Sequence, residues 1–359
     1  MKLYSIFFLL LGSMTMASTH PIDKYNKTKK INKTYSVNSD ALVRVENSFG
    51  NVTVQTWDQN SVSIEVTVEV SGNDEDRVNE RLRMIDVDFS ASKSKVSAVS
   101  KIPNENGSGL FSFFNSKSKT NTRVDYIVKI PRNSPLDVEN DYGAVIIDKM
   151  TAPLTLNCDF GRLQIGQLLS PDNKLAFDYT DNSHIDYMKG GSIEADFSKF
   201  KLYGADVVDF RGDYTTVAFG KMKKLKYNSD FSTLSIENAT TIDGRGDYST
   251  VKIDSFETAT LLKASFGKII INNLATGFKS LTIKSDYTDV RINHDRNVAF
   301  DYELSAEFAS INLGNDLQTV TSRKENNEAY KQGYNTVAKS GSRIEINSSF
   351  GSVTLKTNN

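Results

Sequence analysis

The chain has 359 residues, enough for one large or two ordinary domains, and its 38% hydrophobic content suits short strands with one wet face. A formal net charge of -1, with lysines and acids interspersed, gives no electrostatic case for a nucleic-acid or anionic-membrane partner. The single cysteine, Cys158, excludes an internal disulfide.

The start of the chain reads as an export signal, residues 1–17. Lys2 is the basic start, residues 3–11 are the apolar run, and Thr15-Met16-Ala17 is a small-x-small cleavage site. That run is short for a membrane anchor, and no later run is long and apolar enough to span. No cysteine stands directly after the signal, which argues against a lipoprotein. The expected address is outside the cytoplasm, in the periplasm or on the cell surface. Residues 18–35 are polar and Lys-rich and are expected to be a disordered leader.

Residues 36–135 are expected to form a cap. They hold a first repeat (41–56), a strictly alternating strand (61–70), a short helix (73–84) capped by Asn73, and a further strand (87–99). Residues 103–122 read as a long loop whose tip carries Leu110, Phe111, Phe113 and Phe114. That tip either packs on the body or touches a partner or membrane. A strand at 123–130 ends at Pro131. A regular array then fills residues 136–314, a polar surface loop 315–341, and a last repeat 342–359.

The array repeats one short pattern: an acidic or small residue, an aromatic, a small residue, then aliphatics three and five positions past the aromatic. Gly246-Asp247-Tyr248-Ser249-Thr250-Val251-Lys252-Ile253 is a clear copy. The aromatic anchors are Phe49, Tyr142, Phe160, Tyr179, Phe197, Tyr214, Phe231, Tyr248, Phe266, Tyr287, Phe308 and Phe350. Aliphatics two apart share one face of a strand. The step of three from anchor to next aliphatic flips the phase, so the strand must turn a corner there. The position two before the anchor is nearly always small, as at Ala195, Gly212 and Ser229, which predicts a large ring packed inside each corner. One unit is irregular: Phe177 fills the small position, and Asn182 and His184 fall where aliphatics belong. From Tyr142 to Phe308 the anchors alternate Tyr and Phe. That fits one unit per coil with an alternating column, or two units per coil.

An acid precedes most anchors. Stacked ~4.8 Å apart, such carboxylates repel by about 1 kcal/mol in water and ~3–4 kcal/mol at an effective dielectric of 20. They must be solvated, bonded to corner N–H groups, or shared with a cation. The first two are the ordinary reading. The alternative is a calcium column at Asp213, Asp230 and Asp247, although the glycine-rich calcium nonapeptide is absent. Arg211-Gly212-Asp213 and Arg245-Gly246-Asp247 spell an integrin tripeptide but sit where a strand enters a corner. His20, His184 and His294 have no metal-ligand spacing with each other or with Cys158, which is expected to be a buried structural thiol. Tyr187 and Tyr203 are candidate outward rings for sugar stacking. No catalytic residue and no cofactor is expected.

The repeat is entered through Tyr126-Ile127-Val128-Lys129-Ile130-Pro131 and then Leu136-Asp137-Val138-Glu139-Asn140-Asp141-Tyr142-Gly143. In number and order these units resemble the exported bacterial "putative adhesin" β-strand-repeat family of Bacteroidetes type. The chain departs from it in using Asp-aromatic more than Ser-Gly-Asp. The resemblance implies a β-solenoid body, export and no known enzymatic activity. The fold class expected is all-β: a parallel β-solenoid, right-handed, with a small N-terminal α+β cap. Three functions compete: an adhesin-like scaffold presenting flat faces to a glycan or envelope protein, a periplasmic accessory of envelope-stress regulation, and a polysaccharide-active enzyme. The last should show a groove with acids interrupting the repeat.

Overall fold

A computed structural model describes residues 23–103 and 120–358. The signal segment and the four apolar loop residues from Leu110 to Phe114 lie outside the described residues. Among the described residues the chain is nearly all β, with 26 strands in one large open sheet and one helix.

The first elements are β1 (Tyr25–Ser36), β2 (Leu42–Ser48), β3 (Val52–Trp57), β4 (Ser61–Gly72), α1 (Glu75–Met84), β5 (Asp86–Ala91), β6 (Lys95–Lys101) and β7 (Thr120–Pro131). Strand pairs split by an anchor follow: β8 (Leu136–Asp141) with β9 (Ala144–Met150), then β10 (Leu154–Asp159) with β11 (Arg162–Leu168), and β12 (Asn173–Asp178). In the middle, single strands run from one anchor to the next: β13 (Ser183–Glu194), β14 (Lys199–Arg211), β15 (Thr216–Asn228), β16 (Thr233–Asp247) and β17 (Thr250–Ser265). Shorter strands resume with β18 (Lys268–Leu274), β19 (Ser280–Asp286), β20 (Asp289–His294), β21 (Phe300–Glu307) and β22 (Ser310–Leu313). A hairpin of β23 (Gln318–Glu325) and β24 (Glu328–Asn335) precedes the last unit, β25 (Arg343–Ser349) and β26 (Ser352–Thr357).

Successive units pair in parallel, level upon level. Asp141 lies beside Asp159, Asp159 beside Asp178, and Asn228 beside Arg245. Each level therefore holds one repeat unit, and the alternation of Tyr and Phe runs along the stack. The aliphatics two apart form continuous buried columns, among them Leu163, Val217, Leu234 and Val251. Burying each such side chain contributes roughly 1.5–3 kcal/mol.

The corners are real, but the rings are not inside them. All twelve anchors have φ between 45° and 62°, the left-handed region. That conformation rotates the ring out of the core and lets the aliphatic phase resume three residues on. It costs on the order of 1–3 kcal/mol for a residue with a Cβ, so the rings must recover it elsewhere.

Four further sequence expectations are corrected. Residues 25–36 are not a disordered leader but β1, paired antiparallel with β4 over its full length from Tyr25–Gly72 to Ser36–Ser61. Residues 315–341 are not a plain loop, since β24 pairs antiparallel with β21 and β23 with β24. In the irregular unit Ser183 and Ile185, not Asn182 and His184, occupy the inward column. Asn182 absorbs the extra residue at φ 52°, and the Ser183 hydroxyl accepts from Leu163 N at 2.9 Å. The helix N-cap is Asp74, whose carboxylate accepts from Arg77 N, rather than Asn73.

Residues 42–57, expected in the cap, belong to the stack. β2 and β3 pair in parallel with β8 and β9. The cap is built from β1, β4, α1, β5, β6 and β7, with β4 lying antiparallel between β1 and β7. At the other end the spatial order departs from the chain order. β25 inserts between β19 and β21, and β26 between β20 and β22.

Candidate functional site

The twelve anchors form one ladder of rings. Neighbours stack at 4.7–5.2 Å between centroids with planes within 8° of parallel. Its order follows the chain except that Phe350 lies between Tyr287 and Phe308. The interior rings are about half exposed, Tyr214 by 53% and Phe231 by 48%. Their flat faces are covered by one another, so the interior of the ladder offers edges to solvent. Sugar stacking needs a free face, and these rings do not supply one. Stacking adds about 0.5–1.5 kcal/mol per pair beyond the area buried, the right size to offset the backbone strain.

Beside the ladder runs the acid column. Asp196 accepts from Asp213 N at 2.7 Å, Asp213 from Asp230 N at 2.9 Å, and Asp230 from Asp247 N at 2.8 Å. Each carboxylate thus ties its own level to the next. Two members of the calcium triad, Asp213 and Asp230, are committed to backbone N–H groups, and Asp247 faces Arg245 at 3.4 Å. Among the described residues no group of three or more His, Cys, Asp or Glu side chains is arranged to hold a metal ion. A buried hydroxyl column accompanies the acids: Ser198, Thr215, Ser232 and Ser249 each accept from the backbone N–H of the level before. Acids and hydroxyls together satisfy the N–H groups at the corners.

Cys158 is buried, and burial together with the charges of Asp159 and Asp141 pushes its thiol up to about 12. The glycines of both Arg-Gly-Asp triplets are buried at strand ends, so neither triplet protrudes. His294 is buried against the Phe300 ring, edge to face at 5.1 Å. Tyr203 is 55% exposed with His184 at its edge, while Tyr187 bonds Asp206, itself paired to Lys223 at 2.9 Å.

The sequence reading missed a trough of 960 Å³ where the repeat is interrupted. Its floor crosses β16, β17, β19, β25 and β21, and the hairpin β24–β23 continues the sheet as its wall. Strand register sorts the lining into two lanes. One lane runs Arg245, Lys263 and Lys284, continues through Asn347, Ser305 and Tyr330, and ends on Arg323. The other runs Asp247, Ser265 and Asp286, continues through Ser349, Glu307 and Glu328, and ends on Glu325. The lanes are two residues apart on each strand, or ~6.6 Å.

Arg245–Asp247 is the one ion pair between the lanes among the described residues, and Lys263, Lys284 and Arg323 have none. Glu307 lies opposite Glu328, which lies opposite Glu325, and like charges directly opposite destabilise a sheet. Ser285 and Ser348, paired across β19 and β25, lie beneath the trough on the buried face shared with Ile283 and Ile346, and their hydroxyls have no hydrogen-bond partner. A bulge beside the trough shifts the register between Ile242/Asp243, where Thr260 is the extra residue of β17. A smaller hollow of 380 Å³ adjoins it and shares Arg245 and Lys263. Three marks of this site stand in the sequence: basic residues three before the anchors Tyr248, Phe266 and Tyr287, serine replacing the acid before Phe266 and Phe350, and the extra residue between Tyr248 and Phe266.

No family model and no curated protein matches the chain. Among solved structures it is similar to a "putative cell adhesion protein" of Clostridium sporogenes, at 12% identity over 92% of this chain and 100% of that one, with a TM-score of 0.19. A "putative adhesin" of Parabacteroides distasonis is 11% identical over 92% and 97% of the two chains, with a TM-score of 0.31. A "putative lipid binding protein" of the same species is 7% identical over 94% and 98%, with a TM-score of 0.28. At scores this low the functional reading rests on this chain's own geometry. Among the described residues no helix is long and apolar enough to cross a membrane.

Proposed function

We propose that the chain is a non-catalytic scaffold of the adhesin type, exported to the cell envelope, whose body is a right-handed parallel β-solenoid holding a binding surface in fixed geometry. The observation that carries this reading is the ladder running through all twelve units while the acids beside it serve the backbone. A repeat so regular stiffens a surface, and the place where it breaks is the place to look for a ligand, because functional sites are where local rules are violated. The envelope address is supported by the basic start, apolar run and small-x-small site at residues 1–17.

The test is protease shaving of intact cells carrying an epitope-tagged copy, with an outer-membrane-permeabilised control. Cleavage on intact cells is expected. Protection until permeabilisation overturns surface display and moves the search to periplasmic partners. The non-catalytic part is checked separately, because acids do line a trough that interrupts the repeat, the feature expected of a polysaccharide-active enzyme: the purified protein should release no reducing ends from polysaccharides, and release would overturn it.

A further inference from the structure

From the two lanes we infer that the trough beneath the hairpin is a binding site for an extended, uncharged glycan lying across the strands. The inference deepens the scaffold reading and rests on it for biological meaning, though not for its physics. The lane of Arg245, Lys263 and Lys284 holds only hydrogen-bond donors, and the facing Asp286, Glu307 and Glu328 hold only acceptors. A ligand that satisfies both must donate and accept along its whole length. Sugar hydroxyls do both.

A polyanion would meet the acid lane, and a polycation would meet the basic one. The lining carries four cationic and five anionic side chains, so neither sign of polymer is drawn in as a whole. Serines on the floor, among them Ser265, Ser305 and Ser349, keep it shallow enough for a chain of rings to lie down. Three unpaired cations and three glutamates opposite one another mismatch charge across this exposed sheet surface and are left to solvent. A ligand that hydrogen-bonds to all of them removes the mismatch.

The test is affinity electrophoresis of the full chain through gels holding a soluble β-1,4-glucan, a mannan or a dextran, with heparin and polylysine run in parallel. Retardation by at least one neutral polymer is expected, little changed by raising the salt. Ser349→Trp, which fills the floor, and the double variant Lys284→Ala/Glu307→Gln, which strips both lanes, should each weaken binding at least tenfold. Both replace outward-facing residues, and an unchanged thermal melt confirms folding. No retardation by any neutral polymer overturns the proposal. So does binding that survives Ser349→Trp, or binding confined to heparin or polylysine and lost in salt. Shaving of intact cells fails or succeeds independently. A chain cleaved on cells but blind to all three neutral polymers keeps the scaffold and loses the glycan.

Discussion

An aromatic residue in the left-handed region is an expensive way to turn a corner, since glycine makes the same turn without strain. At Phe231, with φ 53° and rings at 4.9 Å and 4.8 Å on either side, the stacking gained must outweigh that strain. Phe231→Ala removes two stacked pairs and keeps the strain, and should lower stability by roughly 1–3 kcal/mol. Phe231→Gly removes the same ring but relieves the backbone, so it should be the milder change. Urea midpoints of the two variants decide it, and Ala milder than Gly would contradict the account. The alternation of phase revealed that a corner exists at each anchor. It did not reveal the direction of the ring, because a step of three is equally compatible with a bulge that keeps the ring inside.

Asp141 sits differently from the acids that follow it. Burial first, and then the charge of Asp159, raises its carboxyl above the usual carboxylate range. The folded state therefore holds that proton to higher pH than the unfolded state does. Stability from this group falls as pH rises from the ordinary carboxylate value through the raised one, and the penalty persists at neutral pH. Asp141→Asn should raise the melting temperature at pH 7 and give little gain near pH 3. Calorimetry at the two values checks the sign.

At the scale of elements, what was legible depended on whether a strand carries its own pattern. β4 alternates buried and exposed residues along its whole length and could be read directly. β1 presents Tyr25, Ile31 and Tyr35 on the same alternating face as Lys27, Lys29 and Lys33, too little apolar signal to announce a strand. Its order comes from pairing with β4, which is not written locally. β23 is exposed along nearly its whole length and needs no alternation, so it read as loop. The trough inherits that blindness, because one wall is the hairpin. Removing residues 23–36 would uncover the full edge of β4, a template for another chain. Such a variant should self-associate with rising concentration on a sizing column while the intact protein does not.

At the scale of the whole molecule, parallel pairing between units makes nearly every stabilising contact non-local, which slows folding. The stack also fixes where damage matters. The level of β25 and β26 supplies Asn347 and Ser349 to the trough and Phe350 to the ladder. A chain ending at residue 341 should lose neutral-polymer binding and become protease-sensitive around β21. A synthetic peptide of residues 342–358, added in trans, should restore both, and failure of a bound peptide to do so would show that the gap closes without it.

The insertion of β25 between β19 and β21 has a consequence in time. A chain that emerges from its amino end can assemble levels in order up to Tyr287, but β21 arrives before its neighbour exists. The level between must wait until β25 and β26 have been made. Completion of the trough is thereby tied to synthesis of β25. A product that stops short of β25 is left with an open slot and an unfinished trough, so the order of assembly checks that this level has been made.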